Sequence, residues 1–293
     1  MVGATTAYTL FLRGRARELV LIDANRNKAF GDALDMNHGH AFAGPMRVWA
    51  GDYADCAGAD IIIIAAGSAQ RPGETRLDLL NRNAAIFGEI IANISRHTQD
   101  AILLIATNPV DVMSYVSWVQ SGWPAHRVIG SGTLLDSARL RYLIGDKLKV
   151  DPRSIHAHIV GEHGDSEVPL WSLANFAGKP INLTEDEKEE IFVNTRDAAY
   201  QIIEAKGATY YAIALALDRI CAAILGNEGA VLNVSTLLDD YHGVSGIYLG
   251  VPCIVDQTGV REAIKVDMSE EEIRRFRASG EKIREQINGL KLG

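Results

Sequence analysis

The sequence predicts an α/β protein: a doubly wound parallel sheet whose first strand is expected to be missing, followed by an α+β domain. Three observations carry this reading. In the first half, short and continuously apolar runs alternate with longer stretches of helical period, as in strands buried on both faces by helices. The second half changes to helix signals interleaved with short strands and turns. Finally, 293 residues with 47% hydrophobic and 23% charged side chains suit about two ordinary globular cores.

Each element follows from its residues. Residues 2–12 open a helix. Residues 18–23 form a buried strand that ends in Asp23, and 46–50 form a second. The isoleucine run within 60–66 is a third strand, stopped by Gly67, and 101–106 a fourth, stopped by Thr107-Asn108-Pro109. A helix is expected over 77–98. A boundary near 128–132 divides the chain into 1–130 and 131–293. Beyond it a helix is expected over about 133–147, ending before Asp151-Pro152, and a strand over 155–160. Thr184 with Glu187 is a capping box, since hydroxyl and carboxylate can satisfy the free N–H groups of a helix start. It opens a helical stretch expected to run to about 225. Strands at 230–235, 245–249 and 254–255 are expected to pair antiparallel, and Ser269 with Glu272 opens a last helix by the same logic.

Composition excludes several classes. Lys+Arg number 29 against 37 Asp+Glu, a formal net charge of −8, which disfavours a nucleic-acid partner. No apolar run approaches the roughly 18 residues of a membrane span, and no basic-then-apolar leader is seen. Cys56, Cys221 and Cys253 lie far apart with no C-x-x-C, so neither a metal site nor a disulfide framework is expected, and a reducing cytoplasm is.

At the front, Gly3 lies 20 residues before Asp23, the separation of a glycine turn from the acid that binds an adenosine ribose. Gly3 then reads as the last third of G-x-G-x-x-G. The two earlier glycines and the strand that feeds them are expected to lie before Met1. Alone, a strand-terminal Asp is often just a turn residue.

Five segments decide the reading: Gly67-Ser68-Ala69-Gln70-Arg71-Pro72-Gly73-Glu74-Thr75-Arg76, Thr107-Asn108-Pro109-Val110-Asp111, Gly132-Thr133-Leu134-Leu135-Asp136-Ser137-Ala138-Arg139, Gly161-Glu162-His163-Gly164-Asp165-Ser166-Glu167, and Lys206-Gly207-Ala208-Thr209. In this order and spacing they resemble the L-lactate/L-malate dehydrogenase family, its bacterial lactate dehydrogenase branch in particular, over the whole chain. The resemblance implies a Rossmann-type domain, NAD as cofactor, and reversible hydride transfer between lactate and pyruvate.

The chemistry suits the residues that match. Oxidising a 2-hydroxy acid removes a hydroxyl proton, and His163 is the candidate base. Asp136 would orient its ring. Arg139, three residues on and so on the same helix face, matches the bidentate clamp for the substrate carboxylate. Arg76, on a loop that closes over the substrate in the family, would polarise the carbonyl. Gln70 matches the neutral residue that lactate dehydrogenases carry where malate dehydrogenases carry Arg. Arg71 is one position off, so malate or another 2-hydroxy acid stays the alternative substrate. Thr209 matches a pocket-lining threonine, Asn108 an amide near nicotinamide and substrate, and Ile213 an apolar contact to the nicotinamide. Gly3, Asp23 and Gly67 complete the cofactor set. Arg141 and His156 match the phosphate-binding pair through which fructose 1,6-bisphosphate activates such enzymes, which are often homotetramers. Taken singly, each of these residues also has a plain reading as a cap, a surface ion pair or a core contact. A non-catalytic binding or assembly protein is the alternative of another class, because a sheet lacking its first strand leaves backbone groups unpaired.

Overall fold

The computed structural model describes residues 1–68, 73 and 75–290. Helix α1 (Val2–Leu12) precedes β1 (Glu18–Leu21), α2 (Arg26–His38), β2 (Arg47–Ala50) and β3 (Ile61–Ile64). Then come α3 (Arg76–Ser95), β4 (Ile102–Ile105), α4 (Val110–Ser121), β5 (Val128–Gly130) and α5 (Leu134–Leu148). Short strands follow: β6 (Ile155–His156), β7 (Ile159–Val160), β8 (Val168–Pro169), β9 (Asn175–Phe176) and β10 (Lys179–Pro180). Helices α6 (Glu185–Lys206) and α7 (Tyr211–Leu225), strands β11 (Ala230–Leu237), β12 (Tyr248–Asp256) and β13 (Gly259–Ala263), and helix α8 (Glu270–Asn288) complete the chain.

Strands β3, β4 and β5 pair in parallel, and β1 pairs in parallel with β2. Among the described residues the two groups are not hydrogen-bonded to each other, so the parallel sheet stands in two pieces. Within the two pieces β4 is buried at every position, whereas three of four residues in β3 and in β1 are only half-buried. On its other side β5 meets β11 antiparallel at Gly130 and Ser235, and β11, β12 and β13 continue the sheet antiparallel. One six-stranded mixed sheet therefore runs from β3 to β13. The largest core covers it, with Phe87, Leu103, Leu104, Ile129, Tyr248 and Phe276 among its fully buried side chains. A smaller core packs α5 and α6 on β6 and β7 through Leu140, Ile144, Ile155 and Phe192. Among the described residues no helix is long and apolar enough to cross a membrane.

Three sequence expectations need correction. The stretch expected to stay helical to about 225 breaks at Gly207, whose φ of 85° ends α6 in the left-handed region that glycine enters without strain. The strand expected over 155–160 is two strands, β6 and β7, serving different sheets. Expected strands 245–249 and 254–255 are one, β12, which continues through Pro252: its carbonyl accepts the N–H of Ile264 at 2.8 Å, and the Ile264 carbonyl, which a proline cannot serve, accepts the Tyr241 hydroxyl at 2.9 Å. Both predicted capping boxes form, at Thr184 with Glu187 and at Ser269 with Glu272.

Candidate active site

Helix α5 carries two of the expected residues. It is seated by Gly132 (φ 55°), where a Cβ would stand 2.4 Å from the backbone nitrogen of Ser235, so only glycine lets the chain pass β11 this closely. The Thr133 hydroxyl at its start donates to the carbonyl of Ile159 at 2.6 Å, tying α5 to β7. Asp136 and Arg139 leave one face of the first two turns. The Nη1 of Arg139 donates to Oδ1 of Asp136 at 2.9 Å, with side-chain exposures of 14% and 2%.

His163 lies on the seven-residue tip of the antiparallel β7–β8 hairpin. Its Nδ1–H donates to Oδ2 of Asp136 at 2.5 Å. The two oxygens of Asp136 are thus divided between the imidazole and the guanidinium. Burial alone disfavours a charged Asp136, but the His163 and Arg139 cations and their hydrogen bonds outweigh it, holding the carboxyl below its ordinary value. Burial likewise disfavours the imidazolium of His163. The Asp136 charge and hydrogen bond, with Asp111 and Glu167 behind, reverse this and lift it to about 9. With Nδ1 engaged, Nε2 is the nitrogen free to exchange a proton. Glu167, 3% exposed, is pushed up to about 9, by burial first and the Asp136 charge second, so it is uncharged at neutral pH and titrates alongside His163.

Two loops follow the carboxyl ends of β3 and β4. After β3, Ser68 donates from its N–H to Oδ1 of buried Asn83 on α3 at 3.0 Å. After β4, the Thr107 hydroxyl donates to the carbonyl of Ala66 at 2.7 Å, lacing the loops together. Gly67 sits between, and a Cβ on it would stand 2.8 Å from Cγ2 of Thr107. Asn108 follows, exposed, ahead of α4. Gln70 lies outside the described residues, and Arg76 is placed only as the first residue of α3, its side chain likewise outside. Thr209 lies half-buried in the α6–α7 connection, and Ile213 half-buried on the first turn of α7 against the main core. Among the described residues no group of three His, Cys, Asp or Glu could hold a metal ion.

Residues 1–130 match the family model of the lactate/malate dehydrogenase NAD-binding domain, and residues 133–291 that of the lactate/malate dehydrogenase α/β C-terminal domain. The chain belongs to the lactate/malate dehydrogenase family. It is 52% identical to an L-lactate dehydrogenase of Geobacillus kaustophilus, over 95% of this chain and 90% of the relative. It is 49% identical to the L-lactate dehydrogenase of Acetivibrio thermocellus, over 99% of this chain and 95% of the relative. The crystal structure of the minor L-lactate dehydrogenase from Enterococcus mundtii in its ligands-bound form superposes with a TM-score of 0.97 at 44% identity, covering 100% of this chain and 96% of that one.

NAD is the cofactor of this lactate/malate dehydrogenase, and the front residues are suited to it. Helix α1 has no side-chain cap, which leaves its first N–H groups free for an anion. Gly3, in its first turn, lies beside the strand end of β3: a Cβ on it would stand 3.8 Å from that of Ala65, ordinary contact, so packing alone does not demand glycine there. Asp23 is exposed just beyond β1, its Oδ1 accepting the N–H of Asn25 at 2.9 Å. Asp23, the α1 start and Gly67 all fall at the carboxyl ends of parallel strands, where such sheets bind nucleotides.

Away from this crevice, Arg141 on α5 donates to the carbonyl of Ser137 at 3.3 Å, and burial depresses its guanidinium. His156 is exposed on β6. Both lower the pKa of His158, after burial, which acts first; Arg141, His156 and His158 thus form one basic neighbourhood in the dehydrogenase.

Sequence reasoning missed Asp111 as more than the end of a motif. It is 1% exposed, in the first turn of α4, and holds the backbone of His163. An acid in a first helical turn has an ordinary explanation in the helix dipole, and nothing local singles it out.

Proposed function

We propose that this chain is an NAD-dependent L-lactate dehydrogenase, with His163 as the proton-exchanging group. The observation that carries the reading is the Arg139–Asp136–His163 chain: a buried acid that holds an imidazole in one tautomer and, by its other oxygen, a guanidinium beside it. NAD, when bound, exchanges a hydride with C2 of the substrate. All else falls to the protein. Arg139, with one arm on Asp136, offers the rest of its planar fork to the substrate carboxylate. His163 gives a proton from Nε2 to the carbonyl oxygen of pyruvate, or takes the hydroxyl proton of lactate, while Asp136 stabilises the imidazolium. Arg76 adds positive charge where alkoxide develops, and Gln70 and Thr209 shape the pocket for a monocarboxylate. Asn108 and Ile213 line the nicotinamide side, with Gly3, Asp23 and Gly67 along the cofactor.

The protonation of His163 sets the pH dependence. Pyruvate reduction uses the charged form, which persists to about 9, so its kcat/KM is expected to hold across neutral pH and to fall as pH climbs through about 9. Lactate oxidation uses the neutral form and is expected to rise over the same interval. Asp136→Asn removes the charge that lifts the imidazole and is expected to move both midpoints down by about one to three pH units. Steady-state rates from pH 5 to 10 check this; unchanged midpoints would count against the pair.

NADH fluorescence titration followed by turnover of pyruvate and oxaloacetate tests the function itself. Binding with dominant pyruvate reduction supports it. Dominant oxaloacetate reduction would make the chain a malate-type enzyme. No NADH binding would favour a non-catalytic binding protein. Gln70→Arg is expected to shift preference toward oxaloacetate by pairing its second carboxylate.

The same reading makes the chain a homotetramer of a reducing cytoplasm, with its three free, buried cysteines left as thiols. It assigns Arg141 and His156 to fructose 1,6-bisphosphate, two copies of each meeting at a symmetric interface. Repeating the pyruvate titration with that sugar bisphosphate checks this, an unchanged pyruvate affinity being the contrary result.

A further inference from the structure

The loop bearing His163 is held at three consecutive residues by three different elements. Gly161 exchanges both backbone hydrogen bonds with Gly250 of β12, at 2.8 and 3.0 Å. The N–H of Glu162 donates to Oγ of Ser279 on α8 at 2.8 Å. The N–H of His163 donates to Oδ2 of Asp111 on α4 at 2.8 Å. The first two anchors are neutral. The third is a carboxyl, 1% exposed, whose Oδ1 accepts from the Ser235 hydroxyl of β11 at 2.6 Å. A neutral hydroxyl could accept one N–H equally well, as Ser279 does next door. Burying a carboxylate for that purpose is costly unless a cation answers it.

The cation is His163. Three acids bear on its ring: Asp136 from α5, Asp111 from α4, and Glu167 from its own loop. Glu167, pushed up to about 9, is uncharged at neutral pH and gains charge only as His163 loses its own proton, and Arg139 already answers one oxygen of Asp136. Asp111 is faced by Ser235, by the N–H and ring of His163, and by Glu162, and burial raises it to about 6 against the pull of the first three. It is therefore charged at neutral pH.

We propose that Asp111 is a positioning residue for His163: by its grip on the backbone N–H it sets the imidazole against Asp136, and by its charge it supports the imidazolium that the reaction makes and consumes. This rests on His163 being the proton-exchanging group of the dehydrogenase proposed above. Asp136 reaches the ring through Nδ1, and Asp111 reaches the same residue through its main chain, from the opposite end of the side chain.

The test compares the wild type, Asp111→Asn and Ser235→Ala as full chains, by NADH fluorescence titration and by kcat/KM for pyruvate from pH 5 to 10. For Asp111→Asn the alkaline midpoint is expected to fall by about one pH unit, so that kcat/KM drops about twofold at pH 8 and about tenfold at pH 10, with NADH affinity within about twofold of wild type. The wild-type profile is expected to bend near pH 6 as Asp111 takes up a proton, and this bend to vanish in Asp111→Asn. A merely structural role would lower thermal stability and leave both features of the profile in place, so an Asp111→Asn protein with wild-type midpoints overturns the proposal. Should Asp111→Asn fail to fold, Ser235→Ala carries the test: it keeps the carboxyl but removes one of its donors. The bend near pH 6 is expected to move upward, because the lost hydroxyl helps hold the Asp111 charge; a bend left at its wild-type position overturns the proposal. A wild type that binds NADH but turns over neither pyruvate nor oxaloacetate would overturn the dehydrogenase reading, and this inference with it; a fully active wild type beside an unshifted Asp111→Asn would sink this inference alone.

Discussion

Replacing His163 with asparagine is expected to lower kcat for pyruvate reduction by about 10²- to 10⁴-fold, the usual worth of a positioned general acid. Asparagine cannot cycle a proton near neutral pH. It can still donate a hydrogen bond from its amide toward Oδ2 of Asp136, so the buried carboxylate is not left with Arg139 alone. NADH affinity is expected to stay within about twofold, since the cofactor residues lie on other loops. Stopped-flow mixing of the NADH-bound variant with pyruvate is the direct measurement. A variant that retains a tenth or more of the wild-type chemical step would remove His163 from the mechanism.

Arg139→Lys is the second large effect. Charge is conserved, but the planar fork becomes a single ammonium, and one arm of that fork is already on Asp136. Lysine must choose between the buried acid and the substrate carboxylate. A lost charge-assisted hydrogen bond is worth about 1.5–3 kcal/mol, so kcat/KM for pyruvate is expected to fall by roughly 10- to 150-fold. Because ground state and transition state both carry the carboxylate, most of the loss should appear in KM. The midpoint of the pH profile is expected to move little, since the lysine ammonium still lies near Asp136. A loss confined to kcat with unchanged KM would mean that Arg139 serves something other than the carboxylate.

What could be read from sequence was what is encoded locally. The two capping boxes formed because hydroxyl and carboxylate sit three residues apart, and the apolar runs of β3 and β4 became strands because a buried parallel sheet tolerates little else. The family resemblance placed Asp136, Arg139 and His163 as candidates, and the structure brings these three together in one hydrogen-bonded chain. Longer-range features were not legible. Gly207 looked like one glycine in a helical pattern until its left-handed backbone divided α6 from α7. The turn expected between 249 and 254 is instead the middle of β12, where the Ile264 carbonyl that Pro252 cannot serve takes the distant Tyr241 hydroxyl. Asp111 was invisible as a partner of His163 because its two partners lie 52 and 124 residues further along the chain. No periodicity or spacing rule spans such distances.

The anchoring of the His163 loop also has a consequence in time. Its fastening to Ser279 joins residues 117 positions apart, and α8, which supplies that serine, is made long after the loop itself. Contacts of such separation form late in folding, after the loop-closure entropy has been met. A nascent or partly unravelled chain can then possess its nucleotide half, and even its Asp136–Arg139 helix, without a seated imidazole. Loosening of α8 is expected to silence turnover well before the bulk of the helical signal is lost, making activity the most sensitive gauge of whether the last helix is home.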